Sequence, residues 1–126
     1  MKLPDDLARS YPHVYSYVAE HGRWFESHRA RRPPKYRDRA CFYNASILTW
    51  DRRYKHPLVY CEGFAFRGIC THHAWCIDDL GGVVDPTWRP TGLAYFGVAL
   101  DEMTVATLVA EGAYAGGFVE RLAGSF

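Results

Sequence analysis

The stretch between residues 72 and 88 constrains the fold of this chain more than any other. It contains two runs of strand-forming residues, 74–78 and 83–85, and the glycines Gly81 and Gly82 between them suit a tight turn. A histidine lies just before the first run, and Asp85 ends the second. The sequence therefore predicts a β-hairpin that brings an imidazole and a carboxylate onto neighbouring strands.

Two adjacent histidines, His72 and His73, precede the hairpin, and the length of its loop decides which of them shares a face with Asp85. Side chains alternate between the faces of a strand, and directly opposed residues share a face. An odd number of loop residues places His73, Trp75 and Asp85 together. An even number selects His72 instead.

The chain has 126 residues, of which 48% are hydrophobic and 16% aromatic, which suits one compact domain. We divide it into an N-terminal helix and basic loop (1–40), a core (41–100) and a C-terminal helical segment (101–126). A formal net charge of +1 gives no global field that would attract nucleic acid or a membrane. No apolar run approaches the roughly 18–20 residues of a membrane span, and the first residues lack the apolar core of a signal peptide. We therefore expect a cytoplasmic protein with reduced cysteines.

A second informative segment is the apolar run 41–54, which predicts a helix buried on nearly every side. Its first residue is Cys41. The unpaired N–H groups at a helix N-terminus create a positive field, which stabilises a thiolate and lowers the pKa of a cysteine from about 8.5. Cys41 is therefore a candidate nucleophile. The alternative is a small buried hydrophobic residue, a common role for free cysteine.

The rest of the chain is divided between predicted strands and helices, with strands at 58–66 and 95–100 and helical segments at 11–21, 101–112 and 118–122. This order predicts an α+β fold in which the nucleophile helix packs on a small antiparallel sheet. Glu62 is unusual within its strand. Its carboxylate either lies on the exposed face or faces the site, where it would bind a substrate amine or guanidinium.

Basic and aromatic residues are interleaved between Arg23 and Arg39. Such a cluster can contact phosphates and stack on bases. The nearly neutral chain carries no nucleic-acid-binding motif, which favours a solvated loop leading into the nucleophile helix. We therefore do not expect this protein to bind nucleic acid.

A metal site is the rival use of the sulfur and imidazole groups, namely Cys61, Cys70, His72, His73 and Cys76. They include no Cys-x-x-Cys pair and lack the ligand spacing of structural zinc sites. The adjacent Asp78 and Asp79 would point to opposite faces of a strand, which suits a solvated turn better than a cation site. We expect no metal and no cofactor.

The candidate groups for thiol chemistry occur in the order Cys41, His73, Asp85. Thiol catalysis needs an imidazole that takes the thiol proton and a third group that fixes the tautomer and orientation of the imidazole. The segments His73-Ala74-Trp75 and Asp85-Pro86-Thr87 resemble the His-x-Trp and Asp-Pro-Thr signature of the transglutaminase-like branch of papain-like cysteine enzymes. Residues 60–65 are similar to the strand between nucleophile and histidine in those proteins. The likeness covers residues 41–88.

This resemblance implies a papain-like, transglutaminase-like core with Cys41 as nucleophile, His73 as base and Asp85 as the orienting acid. The chain also resembles small transglutaminase-like proteins encoded by phages, which implies a viral source and a location in the host cytoplasm. It contains no glutamine to complete an oxyanion hole. A donor beside the Cys41 backbone N–H would have to come from Trp24, Tyr36 or Asn44. Further candidates for substrate binding are Glu62, Trp75 and Trp88.

The expected function is that of a cysteine-dependent amide hydrolase or acyltransferase, of the peptidase, deamidase or transglutaminase type. It would act on a peptide or another amide-bearing substrate through an acyl-enzyme, without a cofactor. The alternative is a catalytically inactive transglutaminase-like fold that serves as a binding or inhibitory protein for a host or phage partner.

Overall fold

The computed structural model describes residues 3–25, 33–34, 36–88, 91–112 and 116–123. Within them, the helices are α1 (Asp6–Ser10), α2 (Pro12–His21), α3 (Cys41–Leu48), α4 (Glu102–Ala110) and α5 (Phe118–Ala123). The strands are β1 (Arg23–Phe25), β2 (Leu58–Arg67), β3 (Ile69–Asp78), β4 (Val83–Val84) and β5 (Ala94–Leu100). None of the described helices is long and apolar enough to cross a membrane.

The five strands form one curled antiparallel sheet in the order β1-β5-β2-β3-β4. Gly63 on β2 opposes Gly97 on β5, and a Cβ on either would run into the backbone of the neighbouring strand. Glycine at both positions therefore permits the close approach of these two strands. The predicted α+β architecture, with α3 packed on an antiparallel sheet, is confirmed at this level.

The two faces of the sheet carry different residues. One face packs against Ala45 and Leu48 of α3, and Tyr60, Phe64 and Ala74 belong to it; we call it the helix face. The opposite face carries a second cluster of buried residues, which we call the aromatic face; its members are Phe25, Cys61, Ala65, Trp75, Ile77, Val83 and Tyr95. Successive residues of β3 therefore point into different environments.

The loop of the hairpin between β3 and β4 has an odd number of residues, the case in which His73 and Asp85 share a face of the sheet. Ile77 opposes Val83, and the Asp78 N–H donates to the Gly82 carbonyl at 2.9 Å, which leaves residues 79–81 as the loop. Gly81 has a φ of 82°, a conformation that suits glycine. The sequence analysis left the length of this loop open, and the odd number of loop residues places His73, and not His72, on the same face as Asp85.

Helix α3 is shorter than predicted, because it ends at Leu48 and not near Tyr54. Beyond Leu48 the hydrogen bonds tighten to three-residue spacing, as in Trp50 N–H to Ile47 O at 3.0 Å. The Asp51 side chain then accepts the Arg53 N–H at 2.9 Å. This local turn competes with continuation of the helix.

The predicted solvated loop between Arg23 and Arg39 begins instead with strand β1, a correction to the sequence analysis. Trp24 opposes Phe96 of β5 at one edge of the sheet. The Arg23 guanidinium lies 4.0 Å from the centre of the Phe25 ring. Most of the remaining basic residues of this loop, from 26 to 32 and at 35, lie outside the described residues.

The predicted C-terminal elements are present among the described residues. The Asp101 side chain accepts the Thr104 N–H at 2.8 Å, which caps α4 at the position expected. The helix ends before Gly112, whose φ is 72°. Helix α5 follows Gly117 and buries Phe118 against the core.

Candidate active site

His73 and Asp85 form a buried pair on the aromatic face. His73 Nε2 lies 2.8 Å from Asp85 Oδ2, and each residue is only 2% exposed. The odd register of the hairpin places them on the same face, one on β3 and the other directly after β4. The structure therefore brings together two of the three residues that the sequence analysis assigned to catalysis.

From the described residues, the Asp85 carboxylate accepts four hydrogen bonds, two on each oxygen. Oδ2 accepts from His73 Nε2 and from the Tyr95 hydroxyl, both at 2.8 Å, and Oδ1 accepts the N–H groups of Thr87 and Trp88 at 2.9 and 3.0 Å. Burial alone would raise the pKa of Asp85, but the hydrogen bond and charge of His73 and the two backbone N–H groups hold it below its ordinary value. Asp85 is therefore an ionised acceptor at neutral pH.

An ionised carboxylate can only accept, so His73 must carry its proton on Nε2 and leave the lone pair on Nδ1. The indole of Trp88 stacks on the His73 ring, with 3.8 Å between the ring centres and 16° between the planes. The fully buried Trp75 ring is roughly parallel to the His73 ring, and their centres are 6.3 Å apart. Both tryptophans, predicted as substrate contacts, serve here as walls around the imidazole.

Cys41 is the first residue of α3, as predicted, and its sulfur lies beside the Ala74 backbone N–H. The pairing of β3 explains this position. The Asp78 N–H points toward β4, and because pairing directions alternate along a strand, the Ala74 N–H points the same way. Strand β4 ends at Val84 and Pro86 cannot extend the ladder, so the edge of β3 at Ala74 lies beyond the end of β4.

The thiol thus sits at a strand edge, beside the residue that follows His73. Within the described part of the chain, no hydrogen bond joins the Cys41 sulfur to His72 or His73. The structure therefore connects His73 to Asp85 directly, and relates Cys41 to the pair through the backbone of Ala74.

Burial raises the pKa of Cys41 to about 11. The N–H groups of Ala74 and Phe42 oppose this shift, whereas the carboxylates of Glu62 and Asp85 add to it. The expectation of a lowered thiol pKa is therefore wrong, because the removal of water from the sulfur outweighs the field of the helix N-terminus. The resting thiol is protonated at neutral pH and needs a base to lose its proton.

A second imidazole–carboxylate pair lies on the helix face. His72 Nε2 is 2.7 Å from Glu62 Oε2, and both side chains are almost fully buried. The His72 ring is surrounded by the aromatic rings of Tyr11, Phe42 and Phe64. Two adjacent residues of β3 therefore hold separate buried pairs on opposite faces of the sheet.

Glu62 corresponds to neither of the roles predicted for it. It is fully buried, and its oxygens accept from the Tyr60 hydroxyl at 2.6 Å, the Phe118 N–H at 2.8 Å and the Val119 N–H at 3.2 Å, besides His72. These donors occupy the carboxylate, so it is not available to bind a substrate amine. Glu62 instead ties β2, β3 and the start of α5 together.

The three candidate oxyanion donors are engaged elsewhere. The Asn44 amide donates to the Arg37 carbonyl at 2.6 Å and to Thr87 Oγ1 at 3.0 Å, which uses both of its N–H bonds. The Tyr36 hydroxyl donates to Asp51 beyond the far end of α3. The Trp24 indole packs on Phe96 at the β1 edge, opposite the β4 edge. The structure therefore supports none of them as a donor.

Asn44 nevertheless has a place near the site. It lies one helical turn after Cys41, and its bond to Thr87 connects the nucleophile helix to the loop that follows Asp85. Its own Oδ1 is buried without a partner. The Asn44 amide therefore links the helix that carries Cys41 to the loop that follows Asp85.

The metal alternative finds no geometric support in the described ranges, which contain no group of three or more potential ligands in metal-binding proximity. Cys41, Cys61, Cys70 and Cys76 are all free thiols. The Asp78 carboxylate accepts the N–H groups of Leu80 and Gly82, which is the turn role expected of it.

Tyr95 is the member of this arrangement that the sequence analysis missed. Its hydroxyl reaches Asp85 from β5, and only the three-dimensional pairing reveals this. No family model, no curated protein and no solved structure matches this chain. The resemblance to transglutaminase-like proteins therefore stays a prediction, and the case for the site depends on its geometry.

Proposed function

We propose that this protein is a cysteine-dependent amide hydrolase or acyltransferase with a papain-like, transglutaminase-like core. The observation that carries the proposal is the buried His73–Asp85 pair at 2.8 Å, adjacent to the strand edge where the Cys41 sulfur meets the Ala74 N–H. A nucleophile, a base and a carboxylate that orients the base are the groups that thiol acyl transfer requires.

The reaction begins from a neutral thiol, since burial raises the pKa of Cys41 to about 11. As the sulfur attacks the substrate carbonyl, a carbon–sulfur bond forms and the thiol proton passes to His73 Nδ1. This step requires Nδ1 to come within hydrogen-bond reach of the sulfur in the substrate complex. Asp85 remains ionised and stabilises the imidazolium. The Cys41 backbone N–H, which belongs to the first turn of α3 and so has no partner within the helix, is the donor we propose for the developing oxyanion.

The tetrahedral intermediate then collapses with cleavage of the carbon–nitrogen bond. His73 gives its proton to the leaving nitrogen, and the acyl group stays on Cys41. A water molecule, or a second amine, attacks the thioester carbonyl while His73 takes its proton, and that proton returns to the Cys41 sulfur. The products are a carboxylic acid in the first case and a new amide in the second.

The test is acylation by p-nitrophenyl acetate, followed by release of nitrophenolate and by intact-mass analysis of the protein. We expect one acetyl adduct, mapped to Cys41, and its loss in Cys41→Ala. That variant keeps Cys61, Cys70 and Cys76, so it also controls for reaction at other thiols. Equal slow labelling of all four cysteines would reject the proposal and favour the inactive binding protein.

A further inference from the structure

A buried tyrosine on each face of the sheet donates to a carboxylate that pairs with a histidine. On the aromatic face, Tyr95 donates to Asp85 Oδ2 at 2.8 Å, the same oxygen that His73 Nε2 contacts. On the helix face, Tyr60 donates to Glu62 at 2.6 Å, and Glu62 pairs with His72. We propose that Tyr95 is a positioning residue for the candidate active site, because it fixes the carboxylate that sets the tautomer of His73. This inference depends on the proposed function.

The Tyr95 hydroxyl has one orientation available to it. Its oxygen accepts the Gly92 N–H at 2.7 Å, so its own proton is directed to Asp85. Tyr95 is fully buried, and its ring packs against Trp75 at 4.9 Å. The ring and the Gly92 N–H therefore hold the hydroxyl in place before any substrate binds.

This hydroxyl controls the one oxygen of Asp85 that contacts the imidazole. The backbone N–H groups of Thr87 and Trp88 hold Oδ1, and the Tyr95 hydroxyl holds Oδ2 from the other side of the planar carboxylate. Together they resist its rotation, and Tyr95 is the side-chain donor at the oxygen that contacts the imidazole. It also withdraws charge from Oδ2, which moderates the attraction of the carboxylate for the imidazole proton.

The experiment compares Tyr95→Phe with Tyr60→Phe, which removes the same group from the equivalent position on the other face. The measurements are the rate of acetylation of Cys41 against pH and the protonation of the His73 ring by ¹⁵N NMR. We expect Tyr95→Phe to lower the rate about tenfold, the effect of losing one hydrogen bond to a charged group. The ¹⁵N resonances of the His73 ring should change, because the carboxylate oxygen that contacts Nε2 loses one of its two donors. Tyr60→Phe should leave the profile and the His73 resonances unchanged.

An unchanged profile and unchanged His73 resonances in folded Tyr95→Phe would overturn the inference, as would equal changes in both variants, which would indicate a general loss of packing. If wild-type protein is not acetylated at Cys41, the proposed function fails, while the NMR measurement still decides whether Tyr95 controls His73. If Tyr95→Phe does not fold, wild-type protein provides the test. A nuclear Overhauser effect is expected between the Tyr95 hydroxyl proton and the His73 Nε2 proton, which meet at one oxygen, and its absence would refute the assignment.

Discussion

The substitution Asp85→Asn tests the candidate site most directly, because it changes the hydrogen-bonding character of this position with little change in shape. The carboxylate accepts four donors, two on each oxygen. An asparagine offers one oxygen and two N–H bonds. If its oxygen keeps the Thr87 and Trp88 N–H groups, its amide nitrogen must face His73 and Tyr95, which then have to accept.

His73 can accept at Nε2 only by moving its proton to Nδ1, the atom proposed to take the thiol proton. The base is then in the wrong tautomer, a defect that costs about ten-thousandfold in rate in a comparable catalytic triad. All four hydrogen bonds lose the charge of the carboxylate and two of them reverse direction, so we expect a loss of at least about 2–3 kcal/mol in the free energy of unfolding. The rate effect should therefore greatly exceed what partial unfolding explains.

The assay is the rate of Cys41 acetylation by p-nitrophenyl acetate, with urea unfolding to confirm that each variant is folded. Asp79→Asn at the exposed hairpin loop is the matched control, and a change there of no more than about 0.5 kcal/mol in stability is expected. A folded Asp85→Asn protein that is acetylated at the wild-type rate would show that Asp85 does not orient the base, and the triad assignment would be abandoned.

Four further outcomes are expected. His73→Asn should lower acetylation of Cys41 about a hundredfold or more, whereas folded His72→Asn should not; the reverse result would assign the base to His72. The rate of Cys41 alkylation by iodoacetamide should keep rising with pH up to about 11, and a plateau near neutral pH would contradict the raised pKa. Glu62→Gln should lower the free energy of unfolding by about 3–5 kcal/mol in urea titrations, because it breaks a buried pair; a loss below about 1 kcal/mol would contradict this. The pKa of Asp85 is lower in the folded than in the unfolded state, so its contribution to the free energy of unfolding is present above about pH 4 and is lost as pH falls through the folded value. Asp85→Asn should therefore lose less stability on acidification than the wild type.

Local sequence signals predicted the parts of the fold that depend on local chemistry. The hairpin at residues 79–81 follows from its glycine, and the start of α4 follows from the capping carboxylate of Asp101. Strand β1 was missed because it has three residues and its partner, β5, lies far along the chain. The end of α3 was misplaced because apolar periodicity does not register the turn that Asp51 forms with Arg53.

The same division explains which site residues were predictable. His73 and Asp85 are close in sequence, but the sequence left the loop length open, and His73 was preferred to His72 because of the resemblance; the observed register then pairs His73 with Asp85. The pKa of Cys41 depends on how much water the folded chain removes from the sulfur, which no helix position reveals. Besides Tyr60 of β2, the partners of Glu62 come from β3 and α5, so its burial could not be read from β2 alone.

The two histidine–carboxylate pairs should have different roles. Glu62 binds donors from three separate elements, namely Tyr60 of β2, His72 of β3 and the first N–H groups of α5, so its loss loosens the whole domain. Asp85 also binds donors from several elements, namely His73 of β3, the N–H groups of Thr87 and Trp88 after β4, and the Tyr95 hydroxyl of β5. Both pairs therefore contribute to stability, and the Asp85 pair differs because it orients the imidazole proposed to take the Cys41 thiol proton. Glu62→Gln should therefore be detected mainly by unfolding, and Asp85→Asn mainly by the rate of acyl transfer.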